Sequence, residues 1–419
     1  MFRSMPTASV GMPPDFRQGG ALVVQLPIYM DNHATTRVDP RVLEAMLPYF
    51  SQSFGNAGSS SHWFGWAAKQ AVDSARRTIA EAIGAKAKEI VFTSGATESD
   101  NLAVRGVAQK CRRKGKHLVS VCTEHPAVLD PLEGLKRRGH EVTLLPVIQS
   151  PDPQAGRILP QQVAEAVRDD TVLVSVMLAN NEIGVIQPLE EIGRICQQRG
   201  VWLHTDATQA VGKIPVDVER LQIDLMSFSA HKIYGPKGVG ALYVRHQAPH
   251  VRLEPIITGG GQEGGLRSGT LNVPGIVGFA RAVELCLEEM SSEQQRLRTL
   301  RDRLYEGLTA ALSGVTLNGP ALTPPGLRLP GNLNVSFARV DGETLLACVK
   351  DLALSSGSAC TSASPEPSHV LRSLGIGQEL VRGGIRFGLG RFNTSEEVEF
   401  AIGSITEAVT RLRQMSSLD

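Results

Sequence analysis

A charge imbalance is the first thing missing. Lys and Arg number 43 against 42 Asp and Glu, a net charge of +1 over 419 residues. That balance excludes the electrostatic footprint of a nucleic-acid binder and a polybasic membrane patch. No apolar run approaches the roughly 18–20 residues that cross a bilayer. Cysteine is scarce as well. The six are Cys111, Cys122, Cys196, Cys286, Cys348 and Cys360, and no two are spaced C-x-x-C. A disulfide scaffold and a zinc finger are thereby set aside, no metal site is expected, and a reducing, cytoplasmic setting is. Lysine is sparse too, 11 against 32 arginines, so a lysine in an unusual place stands out. The first 26 residues carry only Arg3, Asp15 and Arg17 as charges and read as a disordered leader.

What is present is a strand–helix alternation. Apolar positions Phe64, Ala68, Ala71, Val72, Ala75, Ile79 and Ile83 recur at helical spacing, and Gly84 ends that helix. Seven short apolar runs come next: Glu89–Thr93, His117–Cys122, Glu141–Val147, Thr171–Leu178, Val201–Thr205, Asp224–Ser229 and Val239–Val244. Several are apolar at consecutive positions, as in strands buried on both faces of a mostly parallel sheet. Each is expected to lead into a helical stretch. The fold class is therefore α/β, with a large unit over 39–290. A smaller α+β unit is expected from 27–38 and 291–419. It includes helix at Ile276–Leu312 (entering from the large unit), strand at Asn332–Phe337, and helices at Gly342–Leu352 and Ser395–Met415.

In such sheets the ligand lies at the carboxyl ends of the strands. Three of those ends carry chemistry. The first run closes in Ser94–Gly95–Ala96–Thr97–Glu98–Ser99 before a helix, a ready anion cradle, although Thr97 and Ser99 would also serve as plain caps. Asp206 ends the fifth run, where a carboxylate can hold a protonated ring nitrogen or simply cap the next helix. Lys232 lies just past the sixth run between His231 and Ile233, placed to form a Schiff base, or to snorkel to the surface as most lysines do. His125, after the second run, can stack on a flat ring as acid/base or be a satisfied structural histidine. One ligand, pyridoxal 5'-phosphate, accounts for cradle, carboxylate and lysine together.

Those stretches, with Asp31–Asn32–His33–Ala34–Thr35–Thr36, Asn180–Asn181–Glu182–Ile183–Gly184, Arg267–Ser268–Gly269–Thr270, Ser355 to Ser362 and Ile385 to Arg391, resemble the cysteine desulfurases. These are pyridoxal-phosphate enzymes of the class V aminotransferase group with the fold-type I architecture. The likeness runs from about Leu26 to Leu412. It implies that Lys232 holds the cofactor and moves the substrate Cα proton, that Asp206 pairs with the ring nitrogen, and that His125 stacks on the ring. Ala96, Thr97, Ser229 and His231 are implied in phosphate binding, with Thr270 from the neighbouring subunit of a homodimer. Asn181 and Gln209 are implied near the phenolic oxygen, Asn181 also near substrate, and Arg386 on the substrate carboxylate. Cys360 is implied as the nucleophile that takes sulfur from L-cysteine. The long segment from Thr361 to His369 resembles the group I enzymes of nitrogen fixation and iron–sulfur assembly, in which a persulfide is passed to a scaffold or other acceptor protein. The leader, an insertion near Ser150–Gly156 and an end at Asp419, without the tail that housekeeping members use for the scaffold, depart from that pattern. Selenocysteine lysis, another class V reaction and a non-catalytic sulfur-relay protein are the alternatives. The other five cysteines are expected to be structural, with Cys348 in the core.

Overall fold

In a computed structural model of the chain, residues 24–356 and 367–416 are described. All but the last three residues of the expected leader, and Cys360 with its flanking segment, lie outside them.

Strand Ile28–Tyr29 (β1) opens the described chain. Seven strands then build the main sheet: Ile90–Thr93 (β2), His117–Val121 (β3), Glu141–Leu145 (β4), Thr171–Ser175 (β5), Trp202–Asp206 (β6), Leu225–Ser229 (β7) and Gly240–Val244 (β8). Their order is β2-β8-β7-β6-β5-β3-β4, and β8 runs antiparallel to both its neighbours while the other pairings are parallel. All seven coincide with the apolar runs of the sequence to within a few residues at their ends.

The consecutive apolar pattern has a direct cause. Ile90 and Phe92 face one core while Val91 faces another, and Val119 and Leu118 divide in the same way. Helices cover both faces. Helix Trp63–Glu81 and the first part of helix Val273–Ala311 lie on one side, and helices Ala96–Lys110 and Pro126–Lys136 on the other. Most residues of the inner strands are thus desolvated whichever way they point, while the edge strand β4 stays largely accessible.

Not every strand leads into an α-helix, as the alternation had suggested. Strand β6 is followed by turns because the Asp206 carboxylate accepts from the Thr208 N–H at 2.9 Å and bends the chain at once. Strand β7 runs into a single 3₁₀ turn, Ala230–Lys232.

Five more strands complete the fold: Val315–Leu317 (β9), Asn332–Phe337 (β10), Leu352–Ala353 (β11), Ser355–Ser356 (β12) and Gly384–Gly388 (β13). Four form a small sheet, β12-β13-β10-β9, and β11 pairs with β1. The helix expected over Gly342–Leu352 stops at Cys348, and Leu352 instead pairs with Ile28. A separate core lies here, made by β10, β13, Leu297 to Leu308 of the long helix and Val398 to Val409 of the last one, Ser395–Ser416. The 39-residue helix Val273–Ala311 is about 58 Å long and contributes to both this core and the main one.

Candidate active site

The ends of β2, β6 and β7 converge on a cavity of about 570 Å³. Lining it are Ala96 and Thr97 from the first, Asp206 and Gln209 from the second, and Ser229, His231 and Lys232 from the third. His125 and Asn181 complete the wall. Nine of the ten residues expected around a cofactor therefore meet in one place. The tenth, Thr270, is exposed and does not line this cavity.

At the β2 end, Gly95 takes the N-cap position of helix Ala96–Lys110 and brings no capping side chain. Thr97 and Ser99 lie within the helix, so the reading of them as plain caps is corrected. Gly95 has φ +155°, a conformation that only glycine adopts readily. Its neighbour across the sheet must be glycine too, because a Cβ on Gly240 would come within 2.7 Å of the Gly95 Cα. The uncapped first turn opens to the cavity beside Ser229 and His231. Such an N-terminus suits a phosphate.

Asp206 is 6 % exposed at the end of β6. Behind it stands a buried layer the sequence reading did not single out. Asp100 is fully buried and also lines the cavity. Its Oδ1 lies 3.5 Å from His204 Nε2, and the ring of His204 is held between the Ser175 hydroxyl at 2.8 Å and the Ser227 hydroxyl at 3.1 Å. Burial, then the Asp206 charge, pushes Asp100 well above the usual carboxylate range. Burial lowers His204 to about 4. The signal in sequence was Asp100 itself, a charge one turn after Thr97 on a helix face otherwise filled by Ala103, Val104 and Val107.

Lys232 Nζ donates to the carbonyls of His33 at 2.8 Å and Ala34 at 2.5 Å. The N-terminal segment thus lies beneath the lysine, and Thr35 Oγ1 meets His231 Nδ1 at 3.1 Å. Burial and the Lys232 charge bring His231 down to about 4, which leaves its ring neutral. Two residues past Lys232, Tyr234 has φ +65°, an unusual conformation for a bulky side chain. The surroundings hold it there. Its N–H donates to Thr36 Oγ1 at 2.7 Å, its ring carries the Arg391 guanidinium at 4.2 Å, and its oxygen accepts from the Arg391 N–H.

His125 combines a structural part with a place in the cavity wall. Nδ1 accepts from the Ala127 N–H at 3.1 Å and caps helix Pro126–Lys136, while the ring lines the cavity. Burial lowers its pKa. With Nδ1 accepting, the neutral ring carries its proton on Nε2.

Arg386 is 1 % exposed in β13 and does not itself line the cavity. Its guanidinium donates to Asp31 Oδ1 at 2.8 Å, Ser355 Oγ at 3.2 Å and the Asn181 carbonyl at 2.9 Å, which ties it to a cavity residue. Strand β12, which precedes Cys360 in the sequence, pairs with β13 there, Ser355 opposite Arg386. Ser368 donates to the buried Glu182, whose pKa burial raises to about 7. Among the five described cysteines, Cys196 and Cys286 are buried and their thiols pushed up to about 12 and about 11 by burial. Such thiols are inert. Cys348, expected in the core, is only partly buried against it.

Comparison with known proteins shows the family. The family described as "Aminotransferase class-V" matches residues 28–400. A relative from Anaeromyxobacter sp. (strain Fw109-5), described as "Cysteine desulfurase IscS", is 58% identical over 395 residues, 94% of this chain and 95% of its own. The chain belongs to the cysteine desulfurases of the class V aminotransferase family. Solved structures share the fold. One described as "NIFS-LIKE PROTEIN" superposes with a TM-score of 0.83 at 39% identity, covering 91% of this chain and 99% of that one. Another, "SspA in complex with cysteine", has a TM-score of 0.75 at 36% identity over 87% of this desulfurase and 99% of that chain. The family depends on pyridoxal phosphate. The cavity suits that group at three points: an uncapped helix N-terminus for phosphate, a buried carboxylate for a ring nitrogen, and a lysine amine between them and the N-terminal segment.

Proposed function

We propose that this desulfurase removes sulfur from L-cysteine with pyridoxal phosphate held in the 570 Å³ cavity, giving L-alanine and a persulfide on Cys360. The observation that carries the reading is the meeting of Lys232, Asp206 and the uncapped Gly95 turn in one cavity. Pyridoxal phosphate, when bound, supplies the electron sink that acidifies the substrate Cα–H and loosens the Cβ–S bond.

The chain's own residues do the rest. Ala96, Thr97, Ser229 and His231 hold the phosphate, and Thr270 of a second copy joins them. Asp206 holds the ring nitrogen. Lys232 carries the cofactor and moves the Cα proton. His125, neutral and protonated on Nε2, stacks on the ring and supplies a proton. Asn181 and Gln209 reach the phenolic oxygen. Arg386 takes the substrate carboxylate, for which a guanidinium fork is well shaped, and Asn181 lies between it and the cavity. The Cys360 thiolate attacks the substrate sulfur. An S–S bond forms and the Cβ–S bond breaks. The electron pair stays with the carbon skeleton, which takes up protons and leaves as alanine. The persulfide then passes to a sulfur-acceptor protein such as an iron–sulfur scaffold. Residues 39–290 form the cofactor-holding unit in this reading, and 27–38 with 291–419 the unit that carries the thiol. The sharing of the long helix between two cores supports that division.

The purified holoenzyme should be yellow, and L-cysteine should change its visible spectrum while alanine accumulates. Lys232→Ala should lose the visible band. Cys360→Ser should keep the band and lose the persulfide, read by mass spectrometry of the intact protein. Full alanine and sulfide output from Cys360→Ser would overturn the thiol assignment. An unchanged band in Lys232→Ala would overturn the lysine.

A further inference from the structure

A second lysine reaches into this group of residues from behind. Lys213 stands four positions after Gln209, and its Nζ donates to Gln209 Oε1 at 2.7 Å. At the other end of the same carboxamide, Gln209 Nε2 donates to the His33 carbonyl at 2.8 Å. That carbonyl oxygen is also the one held by Lys232 Nζ at 2.8 Å. The nitrogen end of the Gln209 amide therefore lies on the Lys232 side, and its oxygen end lies on the Lys213 side.

The orientation is chemically enforced. An ammonium only donates and a backbone carbonyl only accepts. Turned over, the amide would set its N–H groups against the ammonium and its oxygen against a carbonyl. Without Lys213 the oxygen end would lose its donor, and only the single His33 contact would resist rotation. Burial and then the Lys232 charge bring Lys213 down to about 7. Even as a neutral amine it retains N–H donors, so the clamp does not depend on its charge.

We propose that Lys213 is a positioning residue, which holds the Gln209 carboxamide with an N–H toward the cavity as a donor to the phenolic oxygen of a bound pyridoxal group. The proposal rests on the proposed place of Gln209 near that oxygen. It adds that Gln209 acts as a donor there, and that a residue outside the cavity wall makes it one.

The test is the pH titration of the visible band of the holoenzyme. Negative charge on the phenolic oxygen helps to retain the proton on the nitrogen that joins cofactor and Lys232. An N–H donated to that oxygen draws charge off and lowers the midpoint. Lys213→Met should raise the midpoint by about one pH unit, roughly tenfold in proton affinity. Gln209→Leu should raise it similarly, and the double variant should go no further, because both changes remove one contact. Lys213→Leu, which likewise brings no donor, provides a second variant with the same expected direction should Lys213→Met not fold. If Gln209→Leu shifts the midpoint and neither Lys213 variant does, the role of Lys213 falls while the reading of Gln209 stands. An unmoved midpoint in Gln209→Leu overturns that reading and this proposal with it. Additive shifts in the double variant overturn the route through Gln209.

Discussion

His204 shows how single side chains set the electrostatics under the cavity. It is fully buried between two serine hydroxyls, and its pKa falls to about 4 because burial disfavours the charged ring. In the unfolded chain the same ring titrates near the ordinary value of about 6.5. As pH drops from neutrality, the unfolded state therefore takes up a proton that the folded state refuses. The stability held above about 6.5 is lost progressively until the folded ring itself protonates near 4. Between pH 7 and pH 5, His204 should contribute a loss of about 2 kcal/mol. Urea unfolding at the two pH values should show that loss reduced in His204→Asn. An equal loss in both proteins would mean the ring does not titrate as its burial requires.

At the level of elements, the fit between β8 and the turn after β2 decides whether the phosphate end of the cavity keeps its shape. A methyl on Gly240 would press on the Gly95 Cα and on the Phe228 carbonyl, both at 2.7 Å. Backbone atoms on both sides cannot step aside as a flexible side chain would. Gly240→Ala should lower stability by about 1–3 kcal/mol. It should also weaken cofactor binding, because the displaced turn carries the helix N-terminus that faces the cavity. Denaturant midpoints and a cofactor titration of the apoprotein would measure both effects. Unchanged cofactor affinity would separate the turn from phosphate binding.

The same scale explains what was legible in the sequence. Most of the seven strands could be read because burial on both faces leaves apolar residues at consecutive positions, whereas Asn332–Phe337 shows a regular alternation of polar and apolar residues. Helix Trp63–Glu81 was legible through its amphipathic spacing. Less legible were features set by a single polar contact or by a distant partner. The bend after Asp206 depends on one carboxylate bond. The end of the helix at Cys348 precedes a pairing with Ile28, more than 300 residues earlier. Of the site, the strand-end residues could be found because topology gathers them. Asp100 was marked only by its charge on an apolar helix face, and His204 and Lys213 lie behind the wall, where no local pattern marks them.

For the whole molecule, the aromatic surface near the start of the fold is the most consequential. Phe50, Phe54, Trp63 and Trp66 are each more than half exposed, and the Phe64 ring packs against both Phe54 and Trp63. A contiguous apolar patch of this kind marks an association surface. The homodimer expected of the family supplies its occupant, a second copy. The protein should sediment at about twice its 45.0 kDa mass. The pair of substitutions Phe54→Glu and Trp66→Glu should shift it toward the single-chain mass and weaken cofactor binding, if Thr270 has the place in a second copy's cavity proposed above. Thr270→Ala should weaken cofactor binding and leave sedimentation unchanged. A dimer that survives the paired substitutions would place the interface elsewhere.

The His33 carbonyl has a consequence in time as well as in space. It is grasped by Lys232, 199 residues later, while Asp31 waits for Arg386 across 355 residues. A chain growing on a ribosome makes the floor of the site among its first parts and the last clasp among its final ones. A nascent chain stalled before β13 would have all seven strands of its main sheet and Lys232, but not the Arg386 clasp on Asp31. The side chains that line the cavity are thus synthesised well before the clasp, which is reserved for chains extended past β13.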